Sequence, residues 1–118
     1  MKTIRNMSDF SNNMNPNEIN KRIAIACGWK QSWDTGGMEI WIDKEGTHWL
    51  FPSDYYGDLN AMHEAESQMK DYTFFSTYER ILEQLMGGQK KVTWPFHASA
   101  SQRAEAFLRT IGQWEEAE

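Results

Sequence analysis

The chain has 118 residues, 40% of them hydrophobic and 14% aromatic, with six tryptophans. That is the length of one domain with enough apolar material for a core, which excludes a wholly disordered chain. Its net charge of −5, from 17 acidic and 12 basic residues, argues against a nonspecific nucleic-acid binder, because phosphate contacts need concentrated positive charge and the basic patches Lys21-Arg22 and Lys90-Lys91 are small.

Residues 1–15 are polar and rich in Asn, Ser and Met, and read as a flexible leader to a single domain over 16–114. Helix one opens with Asn15 as N-cap, Pro16 at the first helical position and Glu18 at the third. Ile19, Ile23 and Ala26 or Cys27 form its buried stripe, Gly28 closes it, and the helix is expected to pack on a sheet. Residues 29–37 read as a connector containing Trp29 and Trp33. From Met38 to Asp43 the pattern alternates, with Met38, Ile40 and Ile42 on one face and Glu39, Trp41 and Asp43 on the other. Asp43-Lys44-Glu45-Gly46 is a turn signal, and Thr47 to Phe51 returns as a second strand before Pro52, so the two make a hairpin.

Asp58 caps a second helix that runs to Met69, with Leu59, Met62, Ala65 or Glu66 and Met69 along one side. Helix three, capped by Thr73 or Ser76, carries Phe75, Tyr78, Leu82 and Leu85, widened by Phe74 and Ile81, and ends at Gly87-Gly88. Gln89 to Trp94 is the third expected strand. Ser99 and Gln102 form a capping box for the last helix, whose stripe is Ala100, Ala104, Phe107, Leu108 and Ile111, with Arg103, Glu105 and Arg109 outside. Trp114 folds back as an anchor, and residues 115–118 are an acidic tail. The expected order is α-β-β-α-α-β-α. It implies an α+β domain with a small, mostly antiparallel sheet covered by helices in an α-β-α sandwich.

Three phrases carry a resemblance. They are Ile25-Ala26-Cys27-Gly28-Trp29, then Asp54-Tyr55-Tyr56 with Asp58-Leu59-Asn60-Ala61-Met62-His63-Glu64-Ala65-Glu66, and finally Ala100-Ser101-Gln102-Arg103-Ala104-Glu105-Ala106-Phe107-Leu108-Arg109-Thr110. In this order they resemble small bacteriophage and prophage proteins named for a phage "ABA sandwich" domain, over roughly residues 17 to 115. The resemblance implies a three-layer α-β-α fold and a phage or prophage origin. It implies no activity and carries over no functional residues.

Cys27 is the single cysteine, so an internal disulfide and a cysteine-rich zinc site are excluded, and its apolar setting at a helix C-terminus reads as structural. Nothing resembles a signal peptide or a membrane span, which leads to the expectation of a protein in the cytoplasm of a bacterial host cell. No Gly-rich strand-to-helix turn is present, and no cofactor is expected.

His63 and Glu66 share a helix side with Asn60, and Asp58 stands nearby. Together they are the candidates for proton transfer or metal binding, although His48 and His97 would have to converge on them through the fold. The plainer reading has Asn60, His63 and Glu66 bracing neighbouring loops. Asp54 and Asp58, four apart, fit acid–base work or Mg²⁺, or else capping. The aromatic residues offer a different chemistry. Trp41 and Trp33, with Glu39, Asp43 and Glu45 as an acidic rim, would make a platform for a protein partner if that sheet face is open, and Trp41 is ordinary core if it is covered. The expected function is a non-enzymatic phage accessory protein that binds a host or phage protein, with host-directed or anti-defence inhibition as one form. A homo-oligomeric structural adaptor and a small-ligand or metal-binding enzyme at His63 and Glu66 are the alternatives.

Overall fold

Helix α1, Pro16–Ala26, begins as its residues dictate: the Asn15 side chain accepts from the Glu18 backbone N–H at 2.8 Å, and Pro16 fills the first turn. The computed structural model describes residues 14–87 and 98–115. The leader through residue 13, the expected strand Gln89–Trp94, His97 and residues 116–118 lie outside them. Met14, read as part of the leader, is buried in the core.

Three strands follow α1: β1, Lys30–Trp33; β2, Glu39–Ile42; and β3, His48–Trp49. They form an antiparallel sheet in the order β1-β2-β3, with Gln31 opposite Trp41 and Trp41 opposite Trp49. The expected hairpin is therefore β2–β3, and the expected connector holds a further strand, β1. Both turns use the same device. Asp34 Oδ1 accepts from the N–H groups of Gly36 and Met38, and Asp43 Oδ1 accepts from those of Glu45 and Thr47. Each turn then closes on a glycine of positive φ, +85° at Gly37 and +89° at Gly46.

Helix α2 spans Leu59–Gln68, α3 spans Tyr72–Leu85 and α4 spans Ala100–Thr110. Asp58 caps α2 as expected, accepting from Asn60 N–H at 3.0 Å. Asp71, rather than Thr73 or Ser76, caps α3. The capping box of Ser99 and Gln102 is formed at α4. The described chain is a small α+β domain in which an antiparallel sheet is flanked by four helices, an arrangement of the α-β-α sandwich kind.

Helix α4 lies at the centre and packs against α1, α2 and α3. Its Ala104, Phe107 and Leu108 are buried with Ile19 and Ile23 of α1, Met62 of α2, and Phe74, Tyr78 and Leu82 of α3. Phe74 and Phe107 meet edge to face, 5.3 Å between centroids. Arg22 ties α1 to the chain's end, reaching Glu18 within its own helix, the Gln113 carbonyl and Glu115.

Among the described residues one strand side chain is fully buried with this body. Trp41 is 1% exposed, whereas the other strand residues are exposed or half-buried. Truncating a buried aromatic ring removes its transfer energy and leaves a cavity. Trp41→Ala is therefore expected to lower unfolding free energy by about 3–5 kcal/mol in urea titrations followed by circular dichroism.

Candidate partner-binding surface

Residues paired across an antiparallel ladder share a face. The register therefore puts Gln31, Trp33, Glu39, Trp41 and Trp49 together, on the side from which Lys21 of α1 reaches Glu39 at 3.4 Å. This is the face proposed from sequence as an aromatic platform, and at its centre it is covered. Trp41 is core and cannot anchor a partner. Its indole N–H donates to Glu39 Oε2 at 2.8 Å. Glu39 also accepts from Gln31 Nε2 at 2.8 Å, so this acid of the expected rim is engaged in holding the sheet.

Around that buried centre the picture reverses. Trp33, Met38, Trp49, Leu50 and Phe51 are 50% to 73% exposed, and they account for five of the eight large apolar side chains that stay exposed among the described residues. Met38, Leu50 and Phe51 border a groove of about 670 Å³, together with Trp41, Pro52 and the first turns of α1. The groove wall is held by Asn20, a buried polar residue that the sequence reading passed over. Asn20 Oδ1 accepts from the Tyr56 backbone N–H at 2.8 Å, and its Nδ2 donates to Asp54 Oδ1 at 3.1 Å. Asp54 turns the chain tightly there. A Cβ at Gly57 would fall 2.7 Å from Asp54 Oδ2, so a side chain there would push this carboxylate aside.

Phe51 also borders a second cavity, a cleft of about 290 Å³ between the 43–46 turn and α2. Its walls include Cys27, Trp29, Trp49 and Tyr55, with Asp43, Glu45 and Glu64 at the polar side. Asp43 Oδ2 accepts from the Trp49 indole N–H at 2.9 Å, and that bond, ahead of the backbone bonds, holds the Asp43 carboxyl below its usual range. Burial pushes the Cys27 thiol up to about 11, which disfavours its thiolate near neutral pH.

The polar candidates on α2 are brought together for bracing. Glu66 Oε2 accepts from Arg103 Nη1 at 2.8 Å and from the Tyr78 hydroxyl, joining α2 to α4 and α3. Arg103, expected outside, is buried, and its Nε donates to the Ala98 carbonyl at 3.2 Å. His63 Nδ1 lies 3.2 Å from Glu66 Oε1 with half of its side chain exposed. Asp58 is occupied at the helix cap, and His48 is on β3, in the sheet. Among the described residues no group of three or more His, Cys, Asp or Glu side chains is placed to hold a metal ion. Also among them, no helix is long and apolar enough to cross a membrane. No family model, no curated protein and no solved structure matches the chain.

The bracing role separates the two α2 candidates energetically. Glu66→Ala leaves the Arg103 guanidinium buried without its carboxylate and is expected to cost about 3 kcal/mol of unfolding free energy. His63→Ala removes an exposed contact and is expected to cost less than about 0.5 kcal/mol, both read from denaturant midpoints.

Proposed function

We propose that this chain acts by binding another protein through the exposed apolar rim of its sheet and the groove beside it, without catalysing a reaction. The observation that carries this reading is the exposure of Trp33, Met38, Trp49, Leu50 and Phe51 on and beside the sheet, three of which, Met38, Leu50 and Phe51, border a groove of about 670 Å³. Large exposed apolar side chains gathered about a concavity are the chemistry of a protein interface, since burying them is what association gains. The residues offered for an enzyme site support the same conclusion from the other side. Glu66 Oε2 is committed to Arg103 and Tyr78, and Asp58 to a helix cap, so the one carboxylate within reach of His63 among the described residues, 3.2 Å away at Glu66 Oε1, belongs to a residue that braces three helices.

The resemblance of the 25–29, 54–66 and 100–110 phrases to a phage family supports an accessory protein that works in the cytoplasm of a bacterial host, directed at a host protein. Inhibition would follow from steric occlusion of the surface it covers.

Tagged protein is passed over host lysate beside a Leu50→Ser, Phe51→Ser variant whose fold is checked by circular dichroism. The proposal expects one stoichiometric partner on the wild type and its loss, by at least about tenfold in retained amount, on the variant. Equal retention by both would overturn it. Sedimentation of the purified chain as a dimer that the variant abolishes would assign the face to self-association instead.

A further inference from the structure

We propose that the cleft between the 43–46 turn and α2 receives a cationic side chain, a lysine ammonium or an arginine guanidinium, carried by the protein partner. This rests on the hairpin surface being a protein-docking face and names what that face recognises.

Two different chemistries converge on the cleft. Trp29, Trp49, Phe51 and Tyr55 supply aromatic walls, and Asp43, Glu45 and Glu64 supply carboxylates, all around one cavity of about 290 Å³. Aromatic walls alone would take any apolar group, and surface acids alone are ordinarily just solvated. Together they match one class of guest. Ring faces attract a cation through their quadrupole, while carboxylates beside them favour full positive charge and exclude neutral and anionic groups.

The cleft is also built in advance. Trp49 is fixed by its indole N–H bond to Asp43, and Asp43 is fixed in turn by the backbone N–H groups of residues 45 and 47. The ordering cost at Trp49 is thereby reduced when the guest arrives. Glu45 and Glu64 are exposed and make no ion pair among the described residues, which leaves their charge available. Among the described residues Lys44 is the one cation in the lining. Its stem lies over Gly28, where a Cβ would meet Lys44 Cγ at 2.9 Å, and its ammonium is held by Gln68 Oε1 at 2.7 Å. A guest cation meets repulsion from Lys44, so this residue sets an upper limit on affinity that its removal should lift.

Phe51 connects the cleft to the apolar groove, because it borders both. A partner segment lying across Phe51 therefore places a basic side chain on one side and an apolar side chain on the other. The recognised feature is a basic residue close to an apolar one on a protein surface, in keeping with the chain's own net charge of −5.

The test uses the full chain and three short capped peptides of the form Leu-Gly-X-Gly-Leu, with X being arginine, lysine or the neutral isostere citrulline. Binding is read from the indole N–H resonance of Trp49, assigned with a Trp49→Phe variant, in low salt. The arginine and lysine peptides are expected to shift that resonance and to bind about tenfold tighter than the citrulline peptide. A Glu45→Gln, Glu64→Gln variant should bring them down to the citrulline level, and Lys44→Met should tighten both. Citrulline binding as well as arginine, or indifference of the arginine peptide to Glu45→Gln, Glu64→Gln, would overturn the cation receptor. If those equal affinities were lost in the Leu50→Ser, Phe51→Ser variant, the docking face would stand without it. No response of Trp49 to any peptide overturns the receptor and leaves the docking face to the lysate experiment.

Discussion

Burial of Trp41 is the constraint on which the arrangement of this protein depends. A sheet of three strands, two to four residues each, is too small to enclose a core of its own. Its one fully buried side chain among the described residues, Trp41, is packed into the common core, with its indole N–H donated to Glu39 of the same strand. The remaining apolar side chains at the sheet's end contribute nothing comparable to the interior. Trp33, Met38, Trp49, Leu50 and Phe51 remain outside, and the surface they make follows from a strongly aromatic hairpin of which Trp41 alone, among the described strand residues, is fully buried. Surplus apolar area of this kind costs solubility when left bare, which is the physical reason for reading it as an interface.

The helical half is arranged on a different principle. Its centre is α4, whose buried face is small and apolar apart from Arg103. That guanidinium is tolerated because Glu66 neutralises it, and the Ala98 carbonyl takes a further N–H. With the Tyr78 hydroxyl also on Glu66, three helices share one carboxylate. A carboxylate oxygen so occupied is poorly placed for proton transfer.

Much of the fold was legible where local signals are strong. The caps at Asn15, Asp58 and Ser99 stand where their sequence patterns put them, because capping is decided within four residues. The second hairpin turn was legible from Asp43-Lys44-Glu45-Gly46. The first, Asp34-Thr35-Gly36-Gly37, has the same Asp-to-Gly spacing and the same hydrogen bonds, and was passed over because Lys30-Gln31-Ser32-Trp33 lacks an apolar alternation. An edge strand buried on neither face has no hydrophobic period to read. Arg103 was misplaced for the opposite reason. Its position, three residues after Ala100 and four before Phe107, lies inside the apolar stripe, but its charge argued for solvent until Glu66 was seen beside it. At the candidate surface, alternation assigned Trp41 and Met38 to opposite faces, yet Met38 precedes the strand and both border the groove beside α1; which side chain is buried there is a tertiary choice. Asn20 gave no signal at all, because its partners are more than thirty residues away.

The aromatic residues of the sheet region thus divide between Trp41, which is buried in the core, and Trp33, Trp49 and Phe51, which face water. Hydroxyl-radical footprinting of the free protein, read residue by residue by mass spectrometry, tests that division most directly. Trp33, Met38, Trp49 and Phe51 are expected to oxidise rapidly, while Trp41, Met62 and Phe107 stay protected. Oxidation of Trp41 at the rate of Trp49, or protection of Met38 and Phe51 in the monomer, would contradict the account.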